Sequence, residues 1–115
     1  TLHTDFSVDT LQVRANRPLL EILFSNLIVN AVRHNKPQGE ILVKVTPESL
    51  IVANTSYEKA LDGNKIFERF YRPTQDSKGC GLGLSIVKAV CNYHGWKAGY
   101  SYKKEGWHEF KITFI

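Results

Sequence analysis

The sequence predicts an α+β fold, a two-layer sandwich in which a mixed β-sheet carries helices on one face. Three observations carry that expectation. Two stretches, Asn16 to His34 and Gly81 to His94, have the apolar spacing of helices. Short alternating stretches lie before, between and after them, bounded by Gly, Pro and Asn. The resulting order is strands, helix, two strands, an irregular segment, helix, two strands.

Each element has a local reason. His3 to Ser7 and Thr10 to Arg14 alternate and are split by Val8-Asp9, which predicts a short hairpin or two edge strands. Asn16 is a helix cap, and Pro18 is tolerated in the first turn, where an N–H has no carbonyl to bond. That helix runs to about His34 and stops near Asn35 and Pro37. Gly39 to Thr46 reads as a strand, Pro47-Glu48-Ser49 as a turn and Leu50 to Asn54 as a second strand. From Thr55 to Lys78 the pattern dissolves, with a helical turn or two over Lys65 to Tyr71. In the second helix Leu84, Val87 and Cys91 share one side, and Gly95 is placed to end it. Trp96 to Tyr102, a turn over Lys103 to Gly106, and Trp107 to Ile115 form a hairpin. In its last strand His108, Phe110, Ile112 and Phe114 alternate with Glu109, Lys111 and Thr113, so one face is buried.

The 115 residues suit one domain, 1–115. The chain has no Met and does not begin like a signal sequence, so an excised domain of a longer protein is expected. No run approaches the ~20 apolar residues of a membrane span. The expected location is cytoplasmic, with a membrane anchor assigned to the parent protein. The net charge of +4 is spread along the chain. That suits a phosphate-bearing small ligand at least as well as a nucleic-acid groove. Cys80 and Cys91 have neither metal-ligand spacing nor a disulfide framework and read as reduced thiols. Trp96, Trp107 and His108 read as core or edge-strand residues.

Three stretches carry chemistry. On the first helix Asn26, Asn30 and Arg33 fall within about 60° of one another, amid apolar residues. A buried amide without partners costs about 1–3 kcal/mol, so two on one stripe must meet something polar. Loop backbone would satisfy them structurally. A ligand along the stripe is the functional reading, and an Asn carbonyl oxygen suits Mg²⁺ that borrows phosphate oxygens. The second stretch, Gly79-Cys-Gly-Leu-Gly-Leu-Ser85, opens a helix whose N-terminal N–H groups and dipole suit phosphate. It is neither a dinucleotide fingerprint nor a P-loop, because it lacks the βαβ context and the Gly-Lys-Ser/Thr. The third stretch is Ile66-Phe-Glu-Arg-Phe-Tyr-Arg-Pro73. Its Phe67 and Phe70 can anchor a loop to the core, while Arg69 and Arg72 face solvent or phosphate.

Together, in this order, the three stretches resemble the ATP-binding catalytic domain of bacterial two-component sensor histidine kinases, with its Bergerat (GHKL-type) fold. "NLIVNAVRHN" is similar to the family's N box, "IFERFYRP" to its F box and "GCGLGLSIVKAV" to its G2 box. The resemblance implies a domain that binds Mg-ATP and donates the γ-phosphate to a histidine. It makes Asn30 the Mg²⁺ ligand, and Arg33 and His34 contacts to phosphate and to ribose or adenine. It gives Gly79, Gly81, Leu82, Gly83, Leu84 and Ser85 to the phosphates, and Arg69 or Arg72 to the γ-phosphate. Asn26 matches the first N-box asparagine, where related ATPases carry a glutamate that activates water. An amide has no useful basicity, so slow hydrolysis and a preserved γ-phosphate are implied.

The chain departs from that pattern at the G1 box, Asp-x-Gly-x-Gly. Here the segment is Asn54-Thr-Ser-Tyr-Glu58, so Asn54 stands where an aspartate accepts from adenine N6. Weak but adenine-selective binding is expected, and the alternative is a degenerate nucleotide-binding or protein-interaction module. An anti-sigma-factor serine kinase fits "FERFYRP" less well. A nucleic-acid-binding domain comes last, since aromatic and basic residues are not interleaved on one sheet face. Thr55 to Lys78 would be a mobile ATP lid. None of His3, His34, His94 and His108 lies in a two-helix dimerisation pattern, so this chain alone is not expected to autophosphorylate. Expected partners are the dimerisation and phosphoacceptor domain of the parent kinase and a response-regulator receiver domain. The chain itself is expected to be a monomer.

Overall fold

The computed structural model describes residues 2–6, 15–57, 66–67, 83–103 and 106–114. Helix α1 spans Arg17–His34, and Asn16 caps it as expected, its Oδ1 accepting from the Leu19 N–H at 3.1 Å. Of its many apolar residues only Leu23, Leu27 and Ala31, spaced four apart on one face, are buried. Leu19, Leu20 and Ile28 pack beside them, while Ile22, Phe24, Val29 and Val32 are exposed. A helix that is apolar nearly all round does not announce which face will pack.

Strands β2 (Ile41–Val45) and β3 (Ser49–Thr55) form the expected hairpin. Thr46 ties the turn: its Oγ1 accepts from the Ser49 N–H at 3.0 Å, and its own N–H donates to the Ser49 carbonyl at 2.9 Å. Strand β1 (Leu2–Phe6) lies parallel to β2, with Leu2 opposite Ile41 and Phe6 opposite Val45. Parallel neighbours need a crossover connection, and α1 lies in it. The edge-strand expectation is thus the one met by β1. Its companion stretch, Thr10 to Arg14, lies outside the described residues.

Helix α2 (Gly83–His94) ends as Gly95 predicts, with φ +72°. The Trp96 N–H donates to the Cys91 carbonyl at 2.8 Å and the Gly95 N–H to the Asn92 carbonyl at 3.3 Å, the Schellman pattern. Strands β4 (Lys97–Lys103) and β5 (Trp107–Thr113) close the sheet in the order β1-β2-β3-β5-β4. The face of β5 that the alternation predicts to be inside is inside: His108, Phe110 and Ile112 are buried.

One core joins Leu23 and Leu27 of α1, Val87 and Cys91 of α2, and Val43, Val52, Phe110 and Ile112 of the sheet. Both helices therefore cover the same face of a mixed sheet, the α+β sandwich the sequence predicts. Burial pushes the Cys91 thiol up to about 11, with Lys88 opposing that rise. Cys80 lies outside the described residues. Among these residues no helix is long and apolar enough to cross a membrane.

Candidate functional site

The two helices run antiparallel, and contacts at both ends of α2 fix their register. At one end His94 Nε2 accepts from the Asn16 N–H at 3.0 Å, joining the end of α2 to the start of α1. His94 Nδ1 stands 2.8 Å from the Val90 carbonyl, so Nδ1 carries the proton and Nε2 is the acceptor. At the other end Gly83 meets Asn26. A Cβ on Gly83 would lie 3.2 Å from Asn26 Oδ1, so the absence of a side chain sets how closely the helices approach. Asn26 is held for this contact by its Nδ2, which donates to the Ile22 carbonyl one turn back at 2.8 Å.

Beyond Gly83, α1 continues for two more turns, which carry Asn30, Arg33 and His34. Asn30 and His34 are half-buried and Arg33 is exposed. The N-terminus of α2 opens toward those turns. Its first-turn N–H groups have no carbonyl within the helix, and its dipole presents positive charge. Leu84 packs its side chain against the core, which leaves its backbone for any contact at the helix start. Ser85 is half-buried.

A polar clasp fastens the end of β3 to the end of α1. Thr55 Oγ1 donates to Asn35 Oδ1 at 2.9 Å and accepts from the Glu40 N–H at 2.8 Å. The Lys36 N–H donates to the Thr55 carbonyl at 3.3 Å. Gly39 sits beneath this clasp, where a Cβ would collide with Asn35 Oδ1, Thr55 Oγ1 and the Lys36 carbonyl. Asn54, buried beside it, donates from Nδ2 to the same Thr55 carbonyl at 3.0 Å. Thr55 belongs to β3 rather than to the irregular segment expected to start there.

Phe67 reaches the core and sets its ring edge-on to Phe110 at 6.3 Å. Phe70, Arg69, Arg72, Gly79, Gly81 and Leu82 lie outside the described residues. The structure thus brings Asn26 and Gly83 into contact and clasps the strand end bearing Asn54 to the end of α1. An apolar groove of about 460 Å³ between Leu20, Phe24, Val45, Leu50 and Phe114 lies toward the opposite end of α1 and contains none of these residues.

Sequence reasoning missed the clasp of Asn35, Gly39 and Thr55, whose members are far apart in sequence. It also missed the pairing of buried His108 with Tyr100, whose hydroxyl is 2.8 Å from His108 Nδ1. The alternation in β5 does place His108 inside, but strand register is what gives it neighbours.

Residues 15–114 match the family of histidine kinase-, DNA gyrase B- and HSP90-like ATPases. Among curated relatives, the sensor histidine kinase HprS of Escherichia coli strain K12 is 35% identical over 89% of this chain and 24% of that protein. The sensor protein QseC of the same organism is 36% identical over 88% of this chain and 23% of its own length. The chain therefore spans about a quarter of these relatives. Among solved structures, the mycobacterial sensor histidine kinase MprB matches with TM-score 0.83 and 24% identity, covering 98% of this chain and 82% of that one. Full-length ShkA in complex with AMPPNP matches with TM-score 0.73 and 21% identity over 98% of this chain and 25% of that one. Histidine kinase ThkA in complex with the response regulator TrrA matches with TM-score 0.72 and 23% identity over 99% and 34%. This chain belongs to the histidine kinase-, DNA gyrase B- and HSP90-like ATPase family, and its relatives within it are sensor histidine kinases.

Proposed function

We propose that this chain binds Mg-ATP and that the γ-phosphate passes to a phosphoacceptor histidine on the dimerisation domain of a longer sensor kinase. The observation that carries the reading is the contact of Asn26 with Gly83, which sets the start of α2 beside the turns bearing Asn30, Arg33 and His34. Helix N-termini favour phosphate, and here one faces a stripe of amide and cationic groups. Gly79, Gly81, Leu82, Gly83, Leu84 and Ser85 would line the phosphates, with Arg33 and His34 reaching phosphate, ribose or base. Asn54 would accept from the 6-amino group of adenine. Phe67 and Phe70 would anchor the segment that brings Arg69 or Arg72 toward the γ-phosphate.

Among the described residues no three His, Cys, Asp or Glu side chains gather to hold a metal. A cation here would rely on phosphate oxygens and water, with Asn30 adding one neutral oxygen, and that donor set fits Mg²⁺. Bound there, Mg²⁺ neutralises phosphate charge. Asn26 has no basicity to activate water, and its Nδ2 is already engaged by the Ile22 carbonyl. Slow hydrolysis follows, which keeps the γ-phosphate for transfer. The ThkA–TrrA complex supports a response regulator as a further partner. The chain alone is proposed to be a monomer that does not phosphorylate itself: His108 is buried and His94 is engaged at the junction of the two helices.

The test is thermal unfolding of this chain with Mg-ATP, with ATP plus EDTA, and with both in Asn30→Ala. A ligand at 100 times its Kd adds about 2.7 kcal/mol of stability. Stabilisation by Mg-ATP that disappears with EDTA or in Asn30→Ala supports the reading. A second reading, a protein-interaction module without nucleotide, draws on one observation. Two residues after Asn54, the Ser56 N–H donates to the Gly106 carbonyl at 2.9 Å, tying that backbone to the β4–β5 turn. No stabilisation at millimolar Mg-ATP would favour it.

A further inference from the structure

The junction between the end of α2 and the start of α1 uses an imidazole as its acceptor. His94 Nε2 accepts from the Asn16 N–H at 3.0 Å, and His94 Nδ1 is 2.8 Å from the Val90 carbonyl. A backbone N–H only donates and a carbonyl only accepts, so this pair of bonds admits the neutral ring alone, with its proton on Nδ1. The ring is half-buried, stacked on Trp96 at 4.2 Å with 16° between the planes, and met edge-on by Tyr93 at 5.0 Å.

A second proton, on Nε2, replaces the acceptor by a donor that confronts the Asn16 N–H. Both ring nitrogens are donors in that form, so turning the ring restores no acceptor. The surroundings do not offset this. His94 closes α2, whose C-terminal dipole end favours a cation, but it abuts the N-terminal end of α1, whose dipole end disfavours one. Among the described residues no carboxylate pairs with His94. The charged groups of the elements meeting there are Arg17 of α1, held by Glu21 at 3.2 Å, Lys88 of α2 and Lys97 of β4; Tyr93 is the other titratable neighbour.

We propose that His94 is a positioning residue whose neutral form holds α2 in register with α1, so that nucleotide binding weakens in acid as the ring charges. Helix α2 has 12 residues and is about 18 Å long, with His94 at one end and Gly83, in contact with Asn26, at the other. Loosening the Asn16 junction therefore shifts Gly83 against Asn26 and against the turns that bear Asn30. The inference rests on the nucleotide reading above and adds a proton as the regulator of that site. Its sign is fixed: the loosened state takes up the second proton more readily than the docked state, so acid favours the loosened one. Imidazole changes charge between about pH 8 and about pH 5, which sets the range to examine.

The experiment is calorimetric titration of Mg-ATP into the unaltered chain and into His94→Gln, at about pH 7.5 and about pH 5.5. Glutamine supplies an amide oxygen that can accept from Asn16 and does not titrate, so the variant still carries the protonation of the nucleotide and of His34 that both chains share. The unaltered chain is expected to lose about three- to tenfold more affinity across this range than His94→Gln. An equal loss in the two chains would overturn the inference. Denaturant midpoints without ligand separate it from the nucleotide reading: the unaltered chain should lose stability toward acid, and His94→Gln should lose less. No nucleotide binding at either pH would overturn the nucleotide reading and the coupling to affinity, and equal midpoint losses would overturn the junction itself. The imidazole nitrogen resonances of the unaltered chain decide even if the variant fails to fold. A bare Nε2 at about pH 7.5, with the Asn16 amide resonance moving as it is protonated, is expected; an Nε2 protonated at that pH would overturn the inference.

Discussion

Single residues set the limits of this site, and the glycines do so by what they leave out. At Gly39 an added methyl would press on Asn35, Thr55 and the Lys36 carbonyl together. Overpacking of this kind costs about 1–3 kcal/mol. Gly39→Ala should therefore lower the melting temperature and, by loosening the clasp beside Asn54, weaken nucleotide binding; calorimetry and titration of the variant check both. Cys91 gives a pH dependence with a definite sign. Its thiol titrates near 9.0 when unfolded and at about 11 when folded, so the folded state keeps a proton the unfolded state has lost. Stability is fully present below about pH 9 and falls as pH rises toward 11. Denaturant midpoints across that range should show an alkaline slope that is shallower in Cys91→Ala. Asn16 and Gly95 were legible from sequence because caps act within four residues. The contact of Asn26 with Gly83 was not, because sequence spacing alone cannot say which residues of two helices touch.

At the scale of elements, the register of α2 against α1 brings Gly83 to Asn26, and His94 holds the far end of α2. The ring stacks on Trp96 at 4.2 Å and accepts from the Asn16 N–H. His94→Phe keeps a ring there and removes the acceptor, so a loss of about 0.5–1.5 kcal/mol in denaturant unfolding is expected. Asn16→Ala removes the side-chain cap of α1 and should cost about 1 kcal/mol by the same measurement. A result indistinguishable from the unaltered chain in both variants would mean the junction does not fix the helices. The strands were legible where they alternate, as in β5, and where turn chemistry bounds them, as between β2 and β3. The parallel pairing of β1 with β2 was not, because parallel partners are joined through a helix and leave no local turn to read. The packing face of α1 was equally hidden, since Ile22, Val29 and Val32 are as apolar as the buried Leu23 and Leu27.

Across the whole molecule, the mixed sheet and two antiparallel helices bring Gly83 of α2 to Asn26 of α1 and clasp the end of β3 to the end of α1. Residues remote in sequence come together only through that arrangement. The family itself was legible, because the N box, F box and G2 box are short local motifs. The placement of Asn54 opposite His108 depends on strand register and emerges only from the fold. The most direct test of the account is a calorimetric titration of ATP into this chain, with Mg²⁺ and with Mg²⁺ chelated, repeated on Asn30→Ala. Saturable binding that needs both Mg²⁺ and Asn30 is the predicted result. Binding that is unchanged by chelation or by the loss of Asn30, or no binding at millimolar ATP, would contradict it.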